Sequence, residues 1–468
     1  MESTELTNYL RAGFTCFWLT TNEPDRVKKV VYDQLNNFSL KNGDKYQVDE
    51  WKCTKEPNPT APLIALATAQ ANTVMFLYNY HWFVGNNQVV QLIQDSIPVW
   101  GNEGKAIVIV SSTEKIPQEL QKDFTLIDLP LPEKDEIDDV IRHIAPDEKY
   151  LPQKEDMDAI KRVSTGLTRK EMENVFALSL VKHKKFDIST INNFRAQTIK
   201  KSGFAEVLEP TVTFKDVIGY EEFKRQFIET VHKPDSKGVA AIGPAGTGKT
   251  SLAKAMGAES NKLTIMVNLG AFQSKYQGES FSNVKSFIKM IKALGDCLLI
   301  FDEFEKQFAG TSGGGELDSG VKKGMGSLWL DFFQNRPPNV YIVTTFNSFV
   351  GVDPEYLRAG RYDASPFFID LPNAEVKNKI LAHYMAKFNL KKQKVPAMPD
   401  WTGAEIESLC HNANMRGITL MEASQFILPL AATKKEEIDS LRAWAKGRTI
   451  KAEKIPQFKT KSKRKIQI

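Results

Sequence analysis

Gly243, Pro244, Ala245, Gly246, Thr247, Gly248, Lys249 and Thr250 stand in the spacing G-x-x-x-x-G-K-T. Glycines at these places let backbone N–H groups come close to an anion and adopt positive φ. The apolar run VAAI ahead of them reads as a strand and TSLAKAMGAE behind them as a helix, so a helix N-terminus faces the same point. Such a turn holds a chain of phosphates. Lys249 then supplies a cation at the β/γ phosphates and Thr250 a hydroxyl for magnesium, with Ser251 next among the expected nucleotide contacts. Further on, CLLIFDE (297–303) is an apolar run ending in two adjacent carboxylates. Strand alternation sends neighbouring side chains in different directions, so the pair can divide its work. Asp302 can hold the magnesium shell while Glu303 orients and deprotonates water. That chemistry is hydrolysis, since an enzyme that passes the phosphoryl group to another acceptor must exclude water. VYIVTTFN places Asn347 at the end of another strand, where a neutral amide can hydrogen-bond the γ-phosphate or the attacking water. No N-K-x-D follows the loop, and NKLT at 261–264 lacks the Asp, which points to ATP rather than GTP.

These residues need a sheet to hold them, and the sequence supplies one twice. In the first half FTCFWLTT (14–21), TVMFLYNY (73–80), KAIVIVSS (105–112) and FTLIDLP (124–130) read as buried strands alternating with helices. Apolar runs of that length, with helical stretches between them, indicate a parallel sheet covered on both faces. Residues 1–150 form this α/β domain, and 151–202 a small helical lid. After a joint at 203–220 the same grammar returns. KGVAAIGP, LTIMVNL, CLLIFDE, VYIVTTF and FFIDLP are the strands of a second α/β domain spanning 203–374. Residues 375–448 follow as a second helical lid and 449–468 as a basic tail. The tail reads as a solvated, disordered terminus, with an anionic partner as the sharper alternative.

The chain has 468 residues, 42% of them hydrophobic, enough for several buried cores. Its formal net charge of +5 owes much to the last twenty residues, so composition makes no general case for nucleic acid. Cys16, Cys53, Cys297 and Cys410 form no C-x-x-C pair and no metal-ligand cluster. Two of them lie in apolar strands, which implies a reduced interior and a cytoplasmic or equivalent compartment. The N-terminus lacks a signal-peptide pattern and no run is long enough to span a membrane.

Beyond the phosphate loop, the chain resembles the AAA+ ATPases in several segments that occur in family order over about residues 208–430. FKDVIGY (214–220) is similar to that family's opening segment, which implies that backbone near Ile218 and Gly219 meets adenine. SKYQGES (274–280) resembles its first pore loop, which would make Lys275, Tyr276 and Gln277 a grip on a threaded polypeptide, through an aromatic that is tolerant of sequence. FAGTSGGGELDSG (308–320) would be a second pore loop, followed by Lys322 and Lys323 where the family carries arginines. DPEYLRAGRYD (353–363) resembles the segment bearing arginine fingers, which implies that Arg358 and Arg361 reach a neighbouring subunit's site. TGAEIESLC (402–410) resembles the lid helix, with Gly403 and Ala404 at its nucleotide-facing start and no arginine beside them. His383 lies near the family's adenine-side histidine, one residue short, which leaves Tyr384 as the alternative in that register.

A more specific resemblance, covering nearly the whole chain, is to the AAA+ branch named for hypothetical chloroplast frame forty-six, found in plastids and cyanobacteria. It rests on DSGVKKGMGSLWLDFFQ (318–334), LRAWAKGR (441–448) and GLTRKEMENVFALSL (166–180). It implies two tandem AAA+-like modules, the first degenerate, and a plastid stromal location if the gene is plastid-encoded. The residues agree with degeneracy. NEPDR follows the first strand with no glycine turn or lysine, and His81 and Trp82 stand where a working site would want carboxylates. Asn79 and His81 read as structural. The expected cofactors are ATP and magnesium, and the expected partners are further copies of the chain, a hexamer by family norm, and a protein client. Three functions compete: a ring-forming remodeller of proteins, an ATP-gated assembly switch or scaffold with slow hydrolysis, and a nucleic-acid motor.

Overall fold

The computed structural model describes residues 6–38, 45–209, 211–272, 277–308, 316–350, 352, 354–358 and 360–453, except the side chains of 155, 277–279, 307–308 and 316–323. The chain divides into two units, the first through Asp187 and the second from Ile188.

In the first unit five parallel strands, β1 (Cys16–Thr20), β2 (Gln47–Lys52), β3 (Thr73–Tyr78), β4 (Ala106–Ser111) and β5 (Phe124–Asp128), lie in the order β2-β3-β4-β1-β5. Alternation along β1 divides the core. Phe17 and Leu19 pack with Val27, Val31 and Leu35 on one face, while Cys16 and Trp18 pack with Ile93 and Trp100 on the other. With helices on both faces the central strands stay apolar throughout, and all six residues of β3 are buried. β2 is the strand that sequence reading overlooks. QVDEWK is an edge strand whose one buried side chain is Trp51, so its charges mask its pattern. Three further helices, Lys134–Ile144, Lys154–Ser164 and Arg169–His183, finish the unit.

The second unit repeats that order and adds to it. β6 (Ala205–Val207), β7 (Gly238–Ile242), β8 (Leu263–Val267), β9 (Cys297–Phe301), β10 (Val340–Phe346), β11 (Phe367–Phe368) and β12 (Ile450–Lys451) form a sheet ordered β12-β11-β7-β10-β9-β8-β6. Its inner five, taken in chain order, match the first unit's arrangement, and all of their pairings are parallel. Leu299, Phe301 and Ile342 face a layer containing Phe272, Phe287 and Trp329, whereas Leu298, Ile300 and Val343 face Leu252, Met256 and Phe227.

Three boundaries differ from the sequence reading. Helix Ile188–Ser202, expected in the first lid, belongs to the second unit: Ile199 joins its core and Arg195, 1% exposed, donates to the Leu294 carbonyl at 2.8 Å. A buried arginine makes an inward helix face look polar. Helix Lys435–Ala445, expected in the second lid, returns to the sheet, with Leu441 and Ala445 in the same core as Trp329 and Arg442 paired to Asp370 at 2.9 Å. The tail starts later than expected. Ile450 and Lys451 pair with β11, and Ala452 is buried with its carbonyl accepting from Glu222 and Phe223. The lid proper is therefore the compact cluster of Ile380, Leu381, Trp401, Ile406, Leu409, Cys410 and Leu420. The rest of the basic tail, 454–468, lies outside the described residues.

Candidate functional site

The loop Gly243–Gly248 joins β7 to helix Lys249–Ser260, with Gly246 at φ +77° and Gly248 at φ +88°, where a side chain would be strained. Gly243 serves close approach instead. A Cβ there would sit 1.9 Å from the Ile369 carbonyl oxygen beyond β11. Lys249 is buried, and its ammonium donates to the carbonyls of Gly243 at 2.8 Å and Pro244 at 2.7 Å. Burial pulls that ammonium down to about 8, against the opposing charges of Glu305, Asp302 and Glu303. Thr247 closes the turn by donating to the Pro244 carbonyl at 2.9 Å. Ala245 and Ser251 are exposed at the turn and in the first turn of the helix.

Three strand ends meet this loop. Parallel pairing sets Val343 beside Ile300 and Thr344 beside Phe301, which brings Thr345 level with Asp302. The Asp302 carboxylate accepts from the Thr250 hydroxyl at 3.0 and 2.9 Å and from the Thr345 hydroxyl, while Thr345 also accepts from the Glu303 N–H at 2.9 Å. Glu303 sits at φ +49°, a left-handed conformation uncommon for such a residue. Its carboxylate accepts from Asn347 Nδ2 at 2.7 Å and pairs with Lys306. The Lys306 contact, more than the Asn347 amide, holds it below the usual carboxylate range. Among the described residues no three His, Cys, Asp or Glu side chains converge as a metal site. The hydroxyl–carboxylate pair of Thr250 and Asp302 suits magnesium, which keeps most of its shell as water and phosphate oxygens.

The lid meets the loop at its helix Gly403–Arg416. Thr402 and Glu405 cap that helix reciprocally, and the Ala404 N–H donates to the Gly246 carbonyl at 3.2 Å. A Cβ on Gly246 would lie 3.0 Å from Thr402 Oγ1, so the two elements touch with no room to spare. Ile218 packs on the lid core beside Val376 and Tyr384, and Gly219, at φ +91°, faces Val376. The His383 ring stands edge-on to Tyr384 at 5.2 Å. Tyr220, buried between segment and loop, donates to the Thr247 carbonyl at 2.5 Å.

The two arginines part company. Arg358 is exposed and, among the described residues, pairs with Glu355 at 3.4 Å. Arg361 is 8% exposed and turns inward, donating to the Leu330 carbonyl and to Glu355, each at 2.9 Å. Sequence reasoning missed Thr345, Tyr220, Glu305 and Lys306. The first two could have been suspected only from strand register and from contact between distant segments. Lys275 and Tyr276, the side chain of Gln277, and those of the loop 308–320 with Lys322 and Lys323 lie outside the described positions.

In the first unit the equivalent place, at the end of β1, is filled by the chain itself. Arg26, 5% exposed, pairs with Glu136 at 2.6 Å and Glu23 at 3.6 Å and donates to the Pro130 carbonyl. Glu23 in turn accepts from the Arg169 N–H at 2.6 Å, at the start of a helix capped by Thr168 and Glu171 just as Thr402 and Glu405 cap the lid helix. After β3, Asn79 is left-handed at φ +56° and Trp82 is exposed.

A doubled five-strand order with a glycine turn and paired carboxylates at its second copy defines a class. Residues 239–369 match the ATPase family associated with various cellular activities (AAA). Residues 2–129 and 135–202 match the N-terminal and second domains of SpoVK-like AAA ATPases. The second unit thus carries an AAA ATPase domain, preceded by two domains of the SpoVK-like AAA type. The chain is similar over nearly its full length to the "Uncharacterized AAA domain-containing protein ycf46" of Guillardia theta, 25% identical across 94% of each chain. That of Pyropia yezoensis is 23% identical over 93% of this chain and 96% of its own. A proteasome-activating nucleotidase of Saccharolobus islandicus is 31% identical over 44% of this chain and 58% of its own. No helix among the described residues is long and apolar enough to cross a membrane.

Proposed function

We propose that the second unit binds Mg-ATP and hydrolyses it, and that copies of the chain assemble head to tail so that each site borrows an arginine from its neighbour. The observation carrying this reading is the convergence of Thr250, Asp302, Glu303 and Asn347 beside the turn that holds Lys249. Thr250 and Asp302 would hold magnesium, which spreads charge off the phosphate oxygens when bound. Lys249 and the N–H groups from Gly243 to Thr250 hold the phosphates. Ile218, Gly219 and the His383–Tyr384 pair border the base, and Gly403 and Ala404 close over the loop. Glu303 takes the proton from water as the water oxygen bonds to the γ-phosphorus and the bond from that phosphorus to the leaving phosphate oxygen breaks. Asn347 holds the Glu303 carboxylate in place for that step.

Arg358 is the finger in this reading, because it is the arginine free to leave its own unit. Arg361 anchors the segment that carries it. Head-to-tail contacts of this kind close into rings, a hexamer by family norm, and the archaeal nucleotidase is a relative whose name couples nucleotide use to a protein machine. A protein client, gripped through Tyr276, follows as the substrate of remodelling in a cytoplasmic or plastid stromal setting. The self-filled site of the first unit favours a scaffold or partner-holding role for that unit within the same assembly. The test is Glu303→Gln in the full chain: ATP is retained, oligomers are stabilised, and phosphate release drops to background. Turnover at the parent rate would remove Glu303 from the mechanism.

A further inference from the structure

The strand carrying Asn347 runs out of partners at that residue. Phe346 is the last residue of β10, and its carbonyl accepts from the Gly243 N–H at 3.1 Å. β9 has already ended opposite Thr344. The Asn347 N–H is therefore beyond the ladder, at the point where its side chain must be aimed. It donates at 3.1 Å to Oε1 of Glu305, in the turn Phe304–Phe308 that follows β9. The Asn347 side-chain amide donates to Glu303. Two carboxylates two residues apart thus hold one asparagine by its two ends.

Glu305 is an unusual residue to spend on backbone N–H groups. Its other oxygen, Oε2, is buried and has no hydrogen-bond partner among the described residues. Burial pushes its carboxyl up, and the neighbouring Glu303 charge adds to this. A buried carboxylate in this state costs stability. What it secures is the backbone position of Asn347, and through it the Asn347–Glu303 hydrogen bond.

We propose that Glu305 is a positioning residue for hydrolysis: its Oε1 extends the β10 ladder by one acceptor and so fixes the Asn347 amide against Glu303. The inference rests on the ATPase reading above. It assigns Glu305 no contact with nucleotide or metal. A hydrogen bond to an ionised acceptor is worth enough that its loss lowers turnover on the order of tenfold.

The experiment measures kcat, KM, nucleotide Kd and thermal midpoint for the full chain and for Glu305→Ala, Glu305→Gln, Asn347→Ala and the Glu305→Ala/Asn347→Ala double variant. Glu305→Ala should lose roughly tenfold in kcat with nucleotide Kd unchanged. Glu305→Gln, which keeps an acceptor oxygen, should regain most of that loss. The double variant should turn over no more slowly than Asn347→Ala alone, because a residue acting through Asn347 adds nothing once Asn347 is gone. Additive losses in the cycle, a Gln variant as slow as the Ala variant, or a weakened nucleotide Kd would each overturn the proposal. Should Glu305→Ala not fold, Glu305→Gln decides alone, and slow turnover with intact binding refutes it. A parent chain that releases no phosphate at all rejects the ATPase reading itself, and is told apart because it appears before any variant is compared.

Discussion

Arg361→Ala and Arg358→Ala should fail in opposite ways, although the two arginines are three residues apart in one motif. Arg361 is inward. Its guanidinium ties the Leu330 carbonyl on helix Glu316–Gln334 to the segment after β10 and pairs with Glu355, whose side chain is 47% exposed. A charged donor on a carbonyl contributes about 1.5–3 kcal/mol. The pair with half-exposed Glu355 is screened by water and adds at most about 1 kcal/mol. Truncation should therefore cost roughly 2–4 kcal/mol, a fall of about 5–10 °C in the midpoint of the second unit. Arg361→Lys keeps a charge but loses the planar fork, and should fall between the two. Arg358, whose side chain is 70% exposed, should leave the midpoint within about 1 °C on truncation. It should instead cost the assembled protein on the order of 10³-fold in turnover, as a lost arginine finger does. The assay is differential scanning calorimetry on each variant alongside phosphate release at concentrations that support assembly. If Arg361→Ala melts like the parent yet is inactive, while Arg358→Ala is fully active, the inward placement is irrelevant and Arg361 is the group that acts in trans.

Further outcomes follow from the same geometry. Glu23→Ala leaves Arg26 buried with Glu136 but without its second, more distant carboxylate and leaves the Arg169 N–H without its side-chain acceptor, so the first unit should lose roughly 1–3 kcal/mol, seen as earlier proteolysis within residues 1–187, while nucleotide binding by the second unit stays at the parent level. Gly246→Ala meets both a left-handed φ and Thr402 Oγ1 at 3.0 Å, so it should weaken nucleotide affinity by pushing the lid helix off the loop. An unchanged Kd would show that this contact does not matter. Removing magnesium with a chelator should abolish turnover, and Thr250→Ala should raise the magnesium concentration needed for half-maximal rate. A variant with parent-like magnesium dependence would take Thr250 out of the metal's shell.

The parts of this fold visible in the residues are those in which one short segment carries the whole signal. The loop 243–250 announces itself because its glycines and lysine are contiguous, and the inner strands because a parallel sheet covered on both faces needs unbroken apolar runs. β2, β6 and β12 were invisible for the converse reason. They are edge strands, with one side to the solvent or only two or three residues long, and their pattern is diluted by charge. Asp302, Glu303 and Asn347 could be named from strand ends, but Thr345 could not. Its role depends on the register between β9 and β10, which no single segment encodes. The same holds for Tyr220, which meets Thr247 across the fold. The arginine motif names two residues without saying which faces out, because that depends on where helix Glu316–Gln334 packs.

The two units also explain each other. Each ends its first core strand, β1 or β7, at a turn facing the start of a helix capped by a Thr–Glu box. In the first unit a carboxylate, Glu23, occupies that helix start and is neutralised by Arg26, so the turn and the helix are joined by groups that never leave. In the second the Ala404 N–H at the helix start donates to a backbone carbonyl, that of Gly246, in the loop that also holds Lys249. A helix N-terminus attracts anions. A unit that supplies its own anion has that helix start already answered, whereas the glycine turn of the second unit, with a buried lysine held by two carbonyls near the carboxylates of Asp302, Glu303 and Glu305, keeps the place that the proposed reading gives to a triphosphate.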